Sequence, residues 1–176
     1  ADVFYTALAN RDASASPPLA IDIGSNAGYF GLLALALGAE AVLVEPQPSC
    51  WQQIEAAIVV NKFEHRSWLL PRALSRSAST TDASLLDVSG SRCNGRFPIS
   101  RLEHGDKSAY GRPSLSHTDG SSATYVQSIV LSEAFESAHV LAAVLKGRRR
   151  VAVIKVDTEG AELGIVRSNL LPLLQR

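Results

Sequence analysis

The sequence predicts an α/β fold built on a doubly wound, mostly parallel sheet. Three observations carry this. Short apolar runs alternate with stretches of helical periodicity in a βαβα order. The first run ends in a glycine turn that opens a helix, as nucleoside-binding α/β folds require. At 176 residues, with 46% apolar and 19% charged side chains, the chain has the size and composition of one globular domain.

Taken in order, Pro17 and Pro18 close a polar lead-in, and residues 19–23 read as a short buried strand. The glycine loop Gly24-Ser25-Asn26-Ala27-Gly28 follows. Residues 29–37 are almost continuously apolar, which predicts a buried helix stopped by Gly38. Residues 41–44 form a second buried strand ended by Glu45-Pro46. Ser49-Cys50-Trp51-Gln52 has the form of a capping box, and Trp51, Ile54 and Ile58 repeat behind it at helical spacing. Residues 67–74 read as a third strand, which Pro71 confines to an edge or a strand end. Residues 89–122, rich in Ser, Gly, Arg and Asp, read as a loop-rich insertion. Beyond it come a strand at 125–131 and a helix capped by Ser132 with Phe135, Ala138, Leu141, Ala142 and Leu145 on one face. A strand at Val151–Val156 and a last helix from Gly160 to Leu170 complete the order.

Charge and cysteines narrow the function. The formal net charge is zero, so nothing global draws the chain to nucleic acid or an anionic membrane. No apolar run approaches the roughly 18 residues of a membrane span. Cys50 and Cys93 are far apart in sequence, which excludes a CxxC pair or zinc knuckle and argues against a disulfide framework. Cys50 reads as structural. The basic run Lys146-Gly147-Arg148-Arg149-Arg150 reads as cations at a helix C-terminus. His104 and His117 read as exposed loop residues, and His65 and His139 offer less still. No HExxH, P-loop or GxSxG pattern occurs.

The chemistry concentrates in Asp22-Ile23-Gly24-Ser25-Asn26-Ala27-Gly28. Such a turn places backbone and a helix N-terminus beside a ligand, and Glu45, some twenty residues on, sits where an acid bonds a ribose diol. The loop reads GxNxG with a carboxylate two residues before its first glycine. That carboxylate repels a pyrophosphate but suits a ligand bearing an ammonium and a sulfonium. The expected cofactor-binding residues are Asp22, Gly24, Ser25, Asn26, Gly28 and Glu45.

Three segments together resemble the FkbM-type methyltransferases: residues 20–30, residues 42–48 (Val-Leu-Val-Glu-Pro-Gln-Pro), and Ile154-Lys155-Val156-Asp157-Thr158-Glu159-Gly160-Ala161-Glu162. The resemblance covers most of the chain between residues 19 and 170. It implies a class I, Rossmann-like methyltransferase fold, S-adenosyl-L-methionine (SAM) as methyl donor, and O-methylation of a hydroxyl on a small-molecule or carbohydrate acceptor; with no zinc knuckle or HExxH in the sequence, no metal ligands are expected. The sequence departs from the family at Leu131-Ser132-Glu133, where a Leu-Asp-Asp-like segment is usual. The family's fold continues past the point matching Arg176, and the chain lacks methionine, so a C-terminally incomplete fold is expected. In a doubly wound sheet the strand ending before Asp157 lies beside the one ending at Ile23. Asp157 and Glu159 are therefore the expected catalytic acids, set to orient the acceptor or take its proton. The plainer reading is that they favour the first turn of the following helix, where Glu162 is structural. Two alternatives differ in class: an NAD(P)-dependent oxidoreductase, which Asp22 and Asn26 disfavour, and a non-catalytic module of the same fold.

Overall fold

The computed structural model describes residues 2–9, 16–74, 85–87, 93, 100–101, 125–129, 150–158 and 161–171. In chain order these give α1 (Asp2–Ala9), β1 (Leu19–Ile23), α2 (Tyr29–Ala36), β2 (Glu40–Val44), α3 (Pro48–Val60) and a 3₁₀ turn (Glu64–Arg66). Then come β3 (Ser67–Leu70), β4 (Ala73–Leu74), β5 (Leu85–Asp87), β6 (Ser100–Arg101), β7 (Tyr125–Ile129), β8 (Val151–Val156) and α4 (Glu162–Ile165), which runs on into a π turn (Val166–Leu170). The expected helix over 132–149, with residues 146–149 of the basic run, lies outside the described residues. So do Glu159, His104, His117, His139 and most of 89–122.

The main sheet has the order β3-β2-β1-β8 and every pair in it is parallel. Both β1 and β2 are buried along their whole length. Covering both faces leaves no polar side to alternate with, which is why these strands are apolar apart from Asp22 and Glu40. Leu19, Ile21 and Ile23 pack on one face with Val42, Val44, Leu74, Ile165 and Leu170. On the other face Ala20 meets Phe4, Leu8, Ala34 and Ala39, and Ala41 and Leu43 meet Leu35, Ile54 and Ile58. Helices α1, α2 and α3 thus cover one side and α4 the other. The expected α/β, doubly wound parallel sheet is what the chain forms.

Local chemistry explains most of the element boundaries. Gly38 ends α2 in the left-handed region (φ 81°), and the amide of Ala39 returns to the carbonyl of Ala34. Pro71 has no N–H to donate and ends β3, the edge strand.

Four sequence expectations need correction. Residues 67–74 are two strands in different sheets, because the chain turns at Pro71 and Arg72 and β4 pairs with β7. Helix α3 starts at Pro48 without a capping box: Gln47 is the N-cap, and a proline at the first helical position loses no helical hydrogen bond. The lead-in contains α1, whose Phe4 and Leu8, one turn apart, are buried against the sheet. Finally, β4, β5, β6 and β7 form a second sheet in the order β4-β7-β5-β6, with β5 antiparallel to both its neighbours.

Candidate functional site

The chain leaves β1 in one direction to build β2 and β3, and returns much later to place β8 on the other side of β1. The carboxyl ends of β1 and β8 therefore flank the switch point, where ligands of doubly wound sheets bind. Asp22 lies opposite Lys155 and Ile23 opposite Val156, and the amide of Asp157 donates to the carbonyl of Ile23 at 3.0 Å.

The glycine loop is held from three sides. Gly24 (φ 71°) sits so close to β8 that a β-carbon there would overlap the Asp157 carbonyl. The amides of Gly24 and Ser25 donate to the carbonyl of Val44 at 2.9 and 3.1 Å, and that of Gly28 to Ser25 at 2.7 Å. The Ser25 hydroxyl donates to the carbonyl of Asp22 at 2.8 Å. Asn26, also left-handed (φ 51°), donates its amide to Glu45 Oε2 at 2.8 Å. Four loop N–H groups are thus engaged within the protein.

Glu45 is 2% exposed and receives a second amide, that of Gln47, on Oε1 at 2.8 Å. Burial pushes its carboxyl above the usual carboxylate range, although both amides pull it back. Asp22 is fully buried under the loop, where Oδ2 accepts the amide of Gly31 in α2 at 2.9 Å and Oδ1 pairs with Lys155 Nζ at 3.2 Å. Burial raises Asp22 as well, with Lys155 and the Gly31 amide opposing. Asp157 lies at the mouth with 68% of its side chain exposed, and its Oδ2 is 3.7 Å from Lys155 Nζ.

The structure thus brings Asp22, Gly24, Ser25, Asn26, Gly28, Glu45 and Asp157 to one end of the main sheet. Asp22 faces Lys155 and α2 from below, and only Asp157 of the three acids opens to solvent. Among the described residues, no group of His, Cys, Asp and Glu is arranged to hold a metal, and no helix is long and apolar enough to cross a membrane.

The family model for the methyltransferase FkbM domain matches residues 22–176, nearly the whole chain. The chain belongs to the FkbM methyltransferase domain family. No curated protein is significantly similar to it. A solved structure, the C-terminal domain of precorrin-6Y C5,15-methyltransferase from Rhodobacter capsulatus, is similar at 22% identity over 40% of this chain, with a TM-score of 0.35. The match spans 36% of that protein's length.

Three features of this FkbM-family domain escape a reading of its sequence. Lys155 lies inside the third motif, but its convergence on Asp22, Gly24 and Asp157 depends on strand register. Gln47 Oε1 and Thr158 Oγ1 are buried without a hydrogen-bond partner, one beside Glu45 and one beside Asp157. Such orphans in a polar site are places where ligand donors fit. Lastly, Cys50 and Cys93 form a disulfide, Cα atoms 4.7 Å apart, which overturns the expectation of unbridged cysteines. The sulfurs lie 3.9 and 3.5 Å from Asn26 Oδ1, so the bridge sits against the glycine loop. Spacing along the chain carries no information on a contact that the fold makes.

Proposed function

We propose that the domain binds SAM at the β1–β8 crevice and transfers its methyl group to a hydroxyl of a small molecule or glycan. One observation carries the choice of cofactor. The loop amides of residues 24, 25, 26 and 28 are already engaged, whereas acids converge around the crevice. A pyrophosphate needs open amides and an absence of nearby carboxylates. A ligand with a sulfonium and an ammonium gains from the carboxylates and asks nothing of the amides.

The residues present fit such a cofactor. Glu45 accepts the two amides on different oxygens, which leaves acceptor capacity for a ribose hydroxyl, and Gln47 Oε1 beside it lacks a donor. At the other end, Asp157 and Thr158 Oγ1 offer acceptors to an amino-acid ammonium. Gly24 and Gly28 let the loop pack closely on the end of β8 and on α3, which fixes its path beside the crevice. When bound, SAM supplies an electrophilic methyl on sulfur: the acceptor oxygen–methyl bond forms as the methyl–sulfur bond breaks, leaving S-adenosylhomocysteine. Asp157, and Glu159 two residues on, orient the acceptor hydroxyl or take its proton. A carboxylate is a weak base for an alcohol, so alignment is the larger contribution.

Calorimetry tests the cofactor. SAM and S-adenosylhomocysteine are expected to bind and NAD not to; NAD binding without SAM binding overturns the reading. Methyl incorporation from labelled SAM into pooled hydroxylated metabolites tests the acceptor class. Asp157→Asn should reduce that turnover more than it reduces SAM affinity.

A further inference from the structure

Lys155 occupies an unusual position for a cation. Its strand is apolar on both sides, Val-Ala-Val-Ile before it and Val156 after it, and only 16% of its side chain is exposed. A buried ion pair is a poor way to stabilise a fold, since an apolar side chain of similar size avoids the desolvation of both charges. What distinguishes this lysine is where its acceptors come from. Nζ donates to the carbonyl of Gly24 at 2.6 Å, pairs with Asp22 Oδ1 at 3.2 Å and lies 3.7 Å from Asp157 Oδ2. These belong to the glycine loop, β1 and the end of β8. The Phe30 ring, at the start of α2, lies 5.7 Å from Nζ on a further side. The Gly24 contact is a short charge-assisted hydrogen bond and the Asp157 contact a longer ion pair, so the loop is fixed firmly and Asp157 is kept at the crevice with its side chain exposed.

We propose that Lys155 is a positioning residue for the amino-acid end of the donor: it fixes the Gly24 carbonyl and holds Asp157 beside the crevice. The proposal rests on the SAM reading above. It assigns Lys155 no contact with the transferred methyl. Lys155 pairs with Asp22 beneath the loop, and Asp157 keeps a carboxylate exposed at the mouth. That balance favours a cationic ligand without leaving two bare acids side by side. The adenosine end is expected beside Glu45, which Lys155 reaches only through its charge, the smallest of the influences on that carboxyl. A defect at Lys155 therefore discriminates between adenosine ligands that carry the amino-acid portion and those that lack it.

The experiment measures dissociation constants of S-adenosylhomocysteine and of 5′-methylthioadenosine, which lacks the amino-acid portion, for the wild type, Lys155→Met and Lys155→Arg. Lys155→Met is expected to weaken S-adenosylhomocysteine by roughly tenfold or more, and 5′-methylthioadenosine by less than about threefold. Lys155→Arg should recover part of the loss. Lys155→Met alone leaves Asp22 buried and unpaired, and unfolding on that account is relieved in Asp22→Asn/Lys155→Met, where an amide still accepts from Gly31. That double variant then carries the comparison. Equal losses for the two ligands, or no loss in a folded variant, overturn the proposal. A wild type that binds 5′-methylthioadenosine but not S-adenosylhomocysteine overturns it too, while leaving an adenosine site. A wild type that binds neither overturns the SAM reading and this proposal with it.

Discussion

At the scale of single residues, two glycines of the loop carry different constraints. Both have positive φ, 71° at Gly24 and 81° at Gly28, which costs an L-residue about 1–2 kcal/mol. A β-carbon at Gly24 would overlap the backbone carbonyl of Asp157, which cannot move without breaking the strand. One at Gly28 would meet Ile54 Cγ1 at 2.8 Å, a side chain that can turn. Gly24→Ala should therefore destabilise clearly more than Gly28→Ala, by more than the backbone cost alone. Thermal unfolding of the two variants measures the difference, and equal midpoints would contradict the overlap. The loop glycines, Ser25, Asn26 and Glu45 were legible in sequence because the motif states their order. The inward orientation of Asp22 was not, since it depends on which face of β1 meets α2.

The same buried acids set a pH dependence of known sign. Asp22 and Glu45 both titrate above the ordinary carboxylate range in the folded protein. The folded state therefore holds protons that the unfolded chain has already released, and stability falls as pH rises through that interval. The window opens at the ordinary carboxylate value of about 4 and closes above the raised folded values. The stability of the wild type relative to Asp22→Asn should thus decline with pH across this window, measured by denaturant unfolding at each pH. A relative stability that climbs instead would mean that Lys155 outweighs burial at Asp22.

Among the elements, those buried on both faces were the easiest to read. Strands β1 and β2 announce themselves as apolar runs, and Gly38 marks the end of α2. Helix α1 was hidden by a polar, alanine-rich context in which only Phe4 and Leu8 reveal its period. At α3 two start signals compete, and Pro48 prevails over Ser49 because its fixed φ suits the first turn. The disulfide ties the first turn of α3 to Cys93, 43 residues away. Closing a loop of that length lowers the entropy of the unfolded chain by about 4 kcal/mol at room temperature in the chain-entropy account, and measured bridges give about 2–4 kcal/mol. Urea unfolding with and without dithiothreitol should differ by that amount. An unchanged midpoint would mean that the bridge contributes nothing to the native state.

For the molecule as a whole, the sequence conveyed the class of the main sheet and the neighbourhood of β1 and β8. The second sheet stayed hidden because its strands are two to five residues long and pair across distant parts of the chain. Periodicity needs longer elements than that. The order β3-β2-β1-β8 makes β1 and β2 the interior strands, flanked on both edges and covered on both faces. Their amides should exchange last in deuterated solvent, after those of β3, whose residues are only partly buried. Earlier exchange in β2 than in β3 would contradict the order.

The switch point also has a consequence for how such a domain diversifies. The floor of the crevice comes from two separate stretches, one before residue 49 and one after residue 149, zipped together by β1 and β8. Between them the described chain makes an excursion through α3, β3 and the second sheet before it comes back to β8. Under the proposed reading, changes in the second sheet can alter what meets the donor while α3 and β3 still support the loop that holds it. The bridge from Cys93 to Cys50 is a covalent stitch within that excursion, and it places Cys93 against the glycine loop. Chimaeras that exchange the excursion should keep both cysteines if the two halves are to remain in step.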